Sequence, residues 1–594
     1  MARSTTPAGI GYKDKNDLND KVFTPADSEF VAVTVDSAVR GVHTELDRVK
    51  ELAEAVLAMS GIGPTSPVDA QTAALIGQAG TLTRKALDAA MEAARVTPFG
   101  VRVDAYGVVG DGVTDDTTAF HAAASAAATF GVPLVIPAGF SIGISSYKRL
   151  PEGLTMHTNG ASFQQLTQMG RAPVVGLGPR STVVGGLRVQ TLGGDACQGV
   201  HVADAPDVTV YGGIEVRSST PGAGKGNIRD NGVRVINSPR FTADRVYVEN
   251  YDWAFWADQS PNLRIGWLEV STYSLAIRFR DCSQLRILGG RAHTAGPNSA
   301  YLPGYNGILM ESDIAQEDVR IDNFTVEDCG EHGYRVSGAV AQNNIWFNNC
   351  LARNVGGSGF KVLGGPEGTS TVYNRDITFN GCSAIDAGVF NQNTCGFLIQ
   401  RGEGIRLINP VVRRAKQQFS ATEGIRMSSC RHVTVSGAKI MDSQKYAVRL
   451  DEAFGQDMID VTFSDLDIQV YTGNAIYLQN PGVMFKDIRI DGHVENVSSD
   501  GSGFYAGKGV AAEDSGTWSG MNVLRVVFSD STGAPRQVSS YCSTRALNSF
   551  MADITMWRAA GAAPSWPPFS GGSMVLDRRL GSRQVYHGGA WVGV

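Results

Sequence analysis

Residues 231–252 read NGVRVINSPRFTADRVYVENYD, and the next two stretches of the chain repeat their pattern. Residues 253–274, WAFWADQSPNLRIGWLEVSTYS, and residues 275–296, LAIRFRDCSQLRILGGRAHTAG, align with them position for position. Each line holds three short segments of alternating apolar residues, separated by Gly, Asn, Asp or Ser. Such a period is typical of a parallel β-helix, a solenoid in which each repeat forms one coil of three strands.

The same pattern returns at 306–331, 332–357 and 423–445, with longer lines where loops are inserted. The Leu/Asn template of leucine-rich repeats, which have a similar period, is missing from these lines. The chain contains 70 glycines and 43% hydrophobic residues, which suits a folded all-β chain with many turns. The sequence therefore predicts a β-helix over residues 98–514.

The first 97 residues have a different character. Residues 1–30 are polar and irregular, whereas Val35, Val39, Val42, Leu46 and Val49 begin a strict heptad seam that continues to Val56. A second, Ala-rich seam follows within 69–96. Two seams in succession favour a coiled-coil stalk over 31–97, although helices that pack on their own domain are the alternative.

The stretch from 98 onwards predicts a strand, a helix over Thr117–Thr129 and another strand, with Asp115 and Asp116 as caps of the helix. Residues 110–120, GDGVTDDTTAF, resemble the opening of the pectate-lyase-like superfamily, which includes phage tail spikes. In that superfamily this helix closes the first coil of a right-handed parallel β-helix. The resemblance indicates the fold strongly and the chemistry weakly.

Both ends of the chain carry further resemblances. Residues 81–90, TLTRKALDAA, resemble a linker of phage tail fibres, and residues 571–594 resemble a short closing module of phage tail proteins. The resemblance implies a homotrimeric tail spike in the virion tail. Residues 1–30 would attach to a tail or baseplate protein, 98–514 would bind and depolymerise a host-surface polysaccharide, and 515–594 would form a β cap and trimerisation module.

Composition narrows the range of partners. The formal net charge is −6 and no Lys/Arg run occurs, so neither nucleic acid nor a membrane is an expected partner. The eight cysteines form no CxxC pair, and neither a cofactor nor a metal is expected. No secretory signal or membrane-spanning stretch is recognisable, so we expect synthesis in the host cytoplasm and action outside the cell.

Stacked coils convert the alignment into geometry, because equivalent residues lie about 4.8 Å apart. The third strands place Glu249, Ser271, His293, Glu327 and Arg353 in one polar stripe, with Asp386 one position out of register. A neighbouring column holds Asn250, Thr272, Thr294, Asp328 and Asn354. The sequence thus predicts a polar surface assembled from residues far apart in the chain.

Two insertions, 294–306 and 387–395, flank this stripe and predict the walls of a groove. Tyr301 and Tyr305 would stack on sugars, and Asp386 would contribute further along. The predicted floor consists of Glu327, Asp328, Glu331, His332 and Arg353. A second possible floor, beneath the insertion 218–231, consists of Glu249, Asp252, Trp253, Trp256 and Asp258.

Two reactions remain open at this stage. Hydrolysis needs two carboxylates, for which Glu327 with Glu331 or Asp328 is the first candidate set and Glu249 with Asp252 is the second. Elimination from a uronic acid would instead use His293 or His332 as the base and Arg353 to neutralise the sugar carboxylate. Solvated turn acids and a simple Glu327–Arg353 ion pair are the alternatives. A non-enzymatic receptor-binding tail protein or a free extracellular enzyme would fit the same fold.

Overall fold

The structure of the chain is a computed structural model. The described residues are 96–97, 100–192, 198–219, 231–293, 304–365, 371–389, 394–413, 423–443, 446–451, 455–471, 474–480 and 483–496, together with strands further on, at 508–514, 517–519, 522–530, 550–556, 574–577, 582–587 and 590–593. The chain divides into two units, Met1–Val101 and Arg102–Val594. The predicted attachment segment and coiled coil lie outside the described residues, apart from the strand Val96–Thr97.

The second unit winds as coils of three strands, and each strand pairs in parallel with its equivalent one coil further on. Asn231–Ile236, for example, pairs with Gln198–Ala203 on one side and with residues 253–258 on the other. Residues one period apart therefore become neighbours in space. The predicted parallel β-solenoid is confirmed.

Each coil contributes one strand to each of three parallel sheets. We number these sheets first, second and third, in the order in which the chain passes through them along each aligned line of sequence. Four long strands, Thr242–Asp258, Arg264–Arg280, Met458–Tyr471 and Met484–Asn496, pass through more than one sheet. The other strands of the first sheet are Pro173–Leu177, Gln198–Ala203, Asn231–Ile236, Ile308–Glu311, Tyr334–Val336, Phe360–Leu363, Cys395–Gln400, Glu423–Ser428, Tyr446–Asp451, Asn474–Asn480 and Lys508–Asp514.

The remaining strands belong to the other two sheets. The second sheet adds Leu134–Val135, Thr155–His157, Thr182–Val184, Thr209–Val210, Arg286–Ile287, Gln316–Asp322, Gln342–Asn348, Asn374–Asn380, Gly402–Glu403, Arg406–Ile408, Arg431–Ser436 and Thr517–Ser519. The third sheet adds Asp111–Asp115, Ser141–Ile144, Ser162–Gln165, Leu187–Thr191, Ile214–Ser218, Gly290–His293, Phe324–Glu327, Leu351–Val355, Ser383–Ala387, Val411–Arg413, Lys439–Ser443, Asn522–Asp530, Phe550–Met556 and Met574–Asp577.

The corners between sheets depend on single residues in the left-handed backbone region. At the end of the third strand, Asn250, Asp328, Asn354 and Asp386 have φ of 66°, 57°, 51° and 53°. Asn and Asp enter this region more easily than other side chains, because their short polar groups can bond locally. The Asn and Asp residues that separate the apolar segments in the sequence are therefore the residues that turn each coil.

Small residues recur at the start of the first strand of successive coils, where the chain leaves the third corner. A Cβ on Gly333 would lie 2.7 Å from the carbonyl oxygen of Gly359 and 2.8 Å from the Cβ of Ala352. From Gly199 onward the equivalent positions hold Gly or Ala, as at Gly307, Gly359 and Ala276, whereas the preceding strand Pro173–Leu177 carries Val174 there. Coil stacking therefore limits the side chain at this position to a methyl group at most.

The interior is a set of stacked apolar ladders. Val233, Phe255, Ile277 and Ile308 follow one another up the first sheet and are at most 1% exposed. Further along, the ring of Phe360 stacks on Tyr334 at 4.6 Å and on Phe397 at 4.7 Å, with nearly parallel planes. Each aromatic pair adds roughly 0.5–1.5 kcal/mol beyond its burial.

The first coil is closed by a helix, as the sequence predicts, over Thr117–Phe130, and Gly131 ends it in the left-handed conformation. The predicted capping differs in one detail. Asp115 accepts the N–H of Thr117 at 3.1 Å, but the Asp116 carboxylate accepts the N–H groups of Val109 and Gly110 instead of capping the helix. Asp116 therefore joins the preceding loop to the first turn of the helix.

Parallel pairing continues beyond residue 514, where the sequence places the end of the solenoid. Residues 489–496 pair with 523–530, Asn522–Asp530 pairs with Phe550–Met556, and 553–556 pair with Met574–Asp577. The last strands, Ser582–His587 and Ala590–Gly593, pair antiparallel. Within the described residues, the change from parallel to antiparallel pairing thus comes at Met574–Asp577.

Two features of composition can be compared with the structure. The six cysteines among the described residues are all buried and carry free thiols, so they serve as small core residues. In the same part of the chain, no helix has the length and apolar character that crossing a membrane requires.

We predict that Gly333→Val lowers the free energy of unfolding by about 1–3 kcal/mol, because its methyl groups overlap the next coil. Denaturant unfolding measures the change. The matched control is Thr325→Val, on the outer face of the third sheet, where a change within about 0.5 kcal/mol is expected. Equal losses in the two variants would contradict the role given to the corner.

Candidate functional site

The predicted polar stripe is present on the third sheet in the predicted register. Glu249 pairs with Ser271, Ser271 with His293, His293 with Glu327, and Glu327 with Arg353. All of these side chains alternate with buried apolar residues and point away from the core. Asp386 is displaced by one position, as predicted, because Arg353 pairs with Ile385.

The neighbouring column forms the third corner rather than a binding surface. Asp328, Asn354 and Asp386 adopt left-handed backbone conformations there, and the Asn354 side-chain amide donates to the Asp328 carboxylate. Asp328, a predicted catalytic residue, therefore takes part in a turn ladder beside Glu327. Thr272 belongs to the same column, and Thr294 lies outside the described residues.

A second outward column, which the sequence analysis missed, lies two residues before the stripe. Arg188 pairs with Glu215, Glu215 with Tyr247, Tyr247 with Glu269, and Glu269 with Arg291. We call the two columns together the third-sheet face: Arg188, Glu215, Tyr247, Glu269 and Arg291 in one column, and Gln190, Arg217, Glu249, Ser271, His293, Glu327 and Arg353 in the other. The alternation of outward positions could have revealed the second column.

Charges on this face neutralise one another across coils. The guanidinium of Arg217 donates to Glu215 at 2.8 Å and to Glu249 at 2.9 Å. The Tyr247 hydroxyl also donates to Glu249, at 3.0 Å. Burial, followed by the hydrogen bond to Glu249, raises the pKa of Tyr247 to about 12, so the phenol keeps its proton. Arg217 thus holds two carboxylates on adjacent coils.

Glu327, the first-ranked acid of the sequence analysis, is held in the same way. Arg291 donates to it at 3.0 and 2.6 Å, and Arg353 donates at 3.0 Å. Its side chain is 12% exposed, against 49% and 50% for the two arginines. The Glu327–Arg353 ion pair that the sequence left as an alternative is therefore present, with Arg291 as an additional partner.

A cavity of about 320 Å³ opens at one end of the third-sheet face. Two glycine pairs, 185–186 and 212–213, take part in its lining on adjacent coils, and all four glycines have positive φ. The side chains of Arg188, Glu215, Arg217, Arg245 and Tyr247 also line it. Its volume is at the lower end of the range for small-molecule sites.

Glu331 and His332, two further predicted site residues, are enclosed in the fold. Glu331 accepts the side-chain amide of Asn306 at 2.9 Å and the N–H of Gly304 at 2.5 Å. His332 is 3% exposed, and its Nδ1 accepts the N–H of Ser358 at 2.8 Å. Burial, reinforced by the charges of Lys361 and Arg335, lowers the pKa of His332 well below its usual value. These side chains anchor the segment that leads back from the insertion, which includes the half-buried Tyr305.

The residues of the second predicted floor lie on two different sheets, on either side of the third corner. Glu249 lies on the third sheet, whereas Trp253, Trp256 and Asp258 follow Asn250 into the first sheet. Asp252, between them, is 2% exposed. The rings of Trp253 and Trp256 lie 5.0 Å apart, and Asp258 forms an ion pair with Arg280.

A buried charge network on later coils of the first sheet also escaped the sequence analysis. Arg449 donates to Glu423 at 2.8 Å and lies 2.7 Å from Asp451, and Arg426 also contacts Asp451 at 2.7 Å. Glu423 and Asp451 are 4% and 2% exposed. Mutual neutralisation in this buried setting is a structural role, since removal of one partner would leave a buried charge.

The predicted walls of the groove lie largely outside the described residues. Tyr301, most of 294–306 and residues 390–393 lie outside the described residues. Within the described part of the chain, no group of three or more His, Cys, Asp or Glu side chains could hold a metal ion.

No protein-family model matches the sequence, and no curated protein is found to be similar to it. Solved structures are similar. The pre-mature gene product 12 of bacteriophage phi29 is 13% identical, with 80% of this chain and 69% of that one covered and a TM-score of 0.42. Tailspike protein 3 of bacteriophage CBA120 is 11% identical, with coverages of 86% and 70% and a TM-score of 0.37. The catalytic unit of a GH87 α-1,3-glucanase from Streptomyces thermodiastaticus is 14% identical, with coverages of 75% and 69% and a TM-score of 0.34. At these identities the likeness concerns the fold.

The burial of His332 predicts a loss of stability in acid. The unfolded chain binds a proton at this residue below about pH 6.5, while the folded protein keeps the imidazole neutral. His332 therefore contributes its full stability above that pH and loses roughly 1.4 kcal/mol per pH unit below it. We expect His332→Asn, which keeps an acceptor near Ser358, to reduce the pH dependence of unfolding, measured by denaturant titration at several pH values.

His293→Asn is the control, because His293 is half-buried on the outer face of the third sheet. An unchanged pH dependence in His332→Asn, or an equal change in His293→Asn, would show that another group is responsible.

Proposed function

We propose that this protein is a bacteriophage tail spike that binds a host-surface polysaccharide along the third-sheet face and depolymerises it. In this proposal the coils wind in the right-handed sense. The N-terminal segment attaches to a tail or baseplate protein, a coiled-coil stalk joins three chains, and the C-terminal strands close the solenoid.

The observation that carries the proposal is the composition of the third-sheet face. Charged side chains continue from coil to coil, and the cavity lies between Arg188, Arg217, Arg245 and the aromatic ring of Tyr247. Trp267, next to this face, is 42% exposed, and its indole N–H donates to Glu269 at 3.2 Å. Guanidinium and carboxylate groups bind sugar hydroxyls, and aromatic rings stack on sugar rings.

The sequence resemblances give the proposal its biological setting. The motif at 110–120 and the segments at 81–90 and 571–594 resemble parts of phage tail proteins at both ends of the chain. The fold by itself adds nothing to this, because parallel β-helices support several functions. The choice of a polysaccharide rests on the side chains of the face.

Glu215 and Glu249 are the acid pair that we assign to cleavage. They occupy diagonal positions on adjacent coils, where residues stand about 7–8 Å apart, and the guanidinium of Arg217 lies between their carboxylates. Inverting glycosidases place their two carboxylates at about 6.5–9.5 Å, so that a water molecule fits between the base and the sugar. Glu249, which two donors orient, would activate the water, and Glu215 would protonate the leaving oxygen.

A second function, binding without cleavage, is favoured by a specific observation. Glu215, Glu249, Glu269 and Glu327 all form ion pairs with arginines on this face. An ion-paired carboxylate is a poor proton donor, so cleavage requires that the substrate displace Arg217 from Glu215. Without that displacement the face would act as a receptor-binding surface.

We expect the purified protein to release new reducing ends from the surface polysaccharide of its host. Glu249→Gln should lower the rate by at least about 100-fold, in the range that general acid–base catalysis contributes, and retain binding. Glu327→Gln is the matched control on the same face and should retain activity. Saturable binding without new reducing ends would identify a receptor-binding protein, and an ultraviolet-absorbing unsaturated uronate would indicate a lyase.

The trimer is tested by the mass in solution. Light scattering on the full chain should give three times the 63.1 kDa of one chain. A chain with polar substitutions at Val39, Leu46 and Val49 should lose the trimer if the predicted heptad seam forms the stalk, because these residues would face the other two helices. A monomeric mass of the unmodified chain would contradict the stalk and favour a free enzyme.

A further inference from the structure

Arg234 on the first sheet is a half-buried guanidinium for which the described residues supply no ion-pair partner. It lies one coil before Trp256 and one coil after His201 in the same column. Its guanidinium carbon is 4.6 Å from the centre of the Trp256 ring. Burial lowers the pKa of Arg234, which is the sign of a charge that is poorly compensated.

The neighbouring arginines are compensated, which sets Arg234 apart. Arg278 donates to Glu311 at 2.9 and 2.6 Å, and Arg280 forms its ion pair with Asp258. The carboxylate of Asp258 acts on Arg234 with the opposite sign, but it is already paired with Arg280, and Arg171 and Arg280 act on Arg234 with charges of the same sign. The carboxylates nearby are thus engaged with other partners, and the local charge around Arg234 is positive.

Unused hydrogen-bonding groups surround the same place. The indole N–H groups of Trp253 and Trp256 and the Nε–H of Arg234 are buried and find no partner among the described residues. Nε2 of His201 is in the same state. A buried N–H without an acceptor costs about 1–3 kcal/mol, and such groups are rare in folded proteins unless a ligand or water binds them.

Two side chains of this cluster are partly exposed. Trp256 is 8% exposed, but Trp253 and Arg234 are only half-buried. The third-sheet face, by contrast, contributes none of the buried, unpartnered side-chain atoms among the described residues. The first sheet therefore carries an unmet demand for acceptors that the third-sheet face lacks.

We propose that the cluster of His201, Arg234, Trp253 and Trp256 binds the carboxylate of an acidic sugar. The carboxylate would pair with Arg234 and accept hydrogen bonds from the indole N–H groups, while the edges of the two indole rings would contact the sugar ring. The inference rests on the proposed function, because it assigns an acidic repeating unit to the polysaccharide that the tail spike would bind.

His201 adds specificity without adding charge. Burial, followed by the charge of Arg234, lowers its pKa to about 4, so the ring is neutral at physiological pH. A neutral imidazole can donate to a carboxylate or a hydroxyl from Nε2 without competing with Arg234 for the anion. The site therefore holds one positive charge of its own, which matches one carboxylate.

The test uses the full chain, with sodium glucuronate, sodium galacturonate and sodium N-acetylneuraminate as probes and glucose and galactose as uncharged counterparts. Tryptophan fluorescence and the thermal unfolding temperature are followed as each probe is added. We expect at least one acidic sugar to give a saturable change and to raise the unfolding temperature. The neutral sugars should do so at least tenfold more weakly.

Arg234→Met is the decisive variant, because the methionine preserves apolar contact with Trp256 and removes the charge. It should weaken acidic-sugar binding at least tenfold, as expected for loss of a charged hydrogen-bond partner. It should not lower the unfolding temperature of the free protein, since the buried charge is uncompensated. Arg375→Met, at an exposed ion pair with Glu403 on the second sheet, is the matched control and should bind as the unmodified chain does.

Four outcomes would overturn the inference. They are no response to any of the three acidic sugars, equal responses to the neutral sugars, equal binding by Arg234→Met, and equally effective competition by inorganic phosphate. The last would indicate a general anion site. Failure of the proposed function is a separate result: if host polysaccharide is neither bound nor cleaved while the Arg234-dependent response stands, the acidic-sugar site remains and the tail-spike assignment falls.

Discussion

Parallel hydrogen bonding between successive coils is the constraint on which the rest of this structure depends. Every strand from Gln198–Ala203 to Asn474–Asn480 in the first sheet pairs in parallel with the coils on both sides. The register is therefore fixed, and each outward side chain stands about 4.8 Å from its equivalents. Insertions are accommodated only at corners, where the ladder has no bonds to lose. A functional surface on such a scaffold consists of columns of equivalent residues from successive coils. Arg217, for example, donates to Glu249 although the two residues are 32 positions apart in the sequence.

The stacking of equivalent residues in columns explains which site residues could be predicted from the sequence and which were missed. The stripe from Glu249 to Arg353 was predictable, because its lines share a period and the alternation of apolar residues leaves one register that buries them. Arg188, Glu215 and Arg217 were missed, because the insertion after Ser218 separates their coil from the aligned lines. The enclosure of Glu331 could not be foreseen either. It depends on Gly304, which belongs to an insertion, and on the side chain of Asn306, where the next repeat begins.

The arginines of the third-sheet face are more exposed to water than those of the first sheet, and this difference in exposure decides how each surface can bind a ligand. Arg188, Arg217 and Arg245 on or beside the third-sheet face keep 61%, 48% and 56% of their side chains exposed. Exposed ion pairs contribute little stability and exchange partners readily, which suits a surface that binds many hydroxyl groups weakly. Arg278 and Arg449 on the first sheet are only 17% and 15% exposed. A buried charge on the first sheet is destabilising unless it is paired, so the unpaired guanidinium of Arg234 favours the binding of an anion.

The third corner connects these two faces within a single strand. Thr242–Asp258 carries Glu249 on the third sheet and Trp253 and Trp256 on the first, and the turn between them occurs at Asn250, whose amide donates to the carbonyl of Ser218 at 3.1 Å. Because coils above and below hold this corner in place, the two faces keep a fixed relation and lose little conformational entropy when a ligand binds. A polysaccharide that crosses the corner would meet adaptable charge pairs on one side and a single anion site on the other. The rigid corner would then set which sugar of the repeating unit faces Glu249 once the acidic sugar is bound at Arg234.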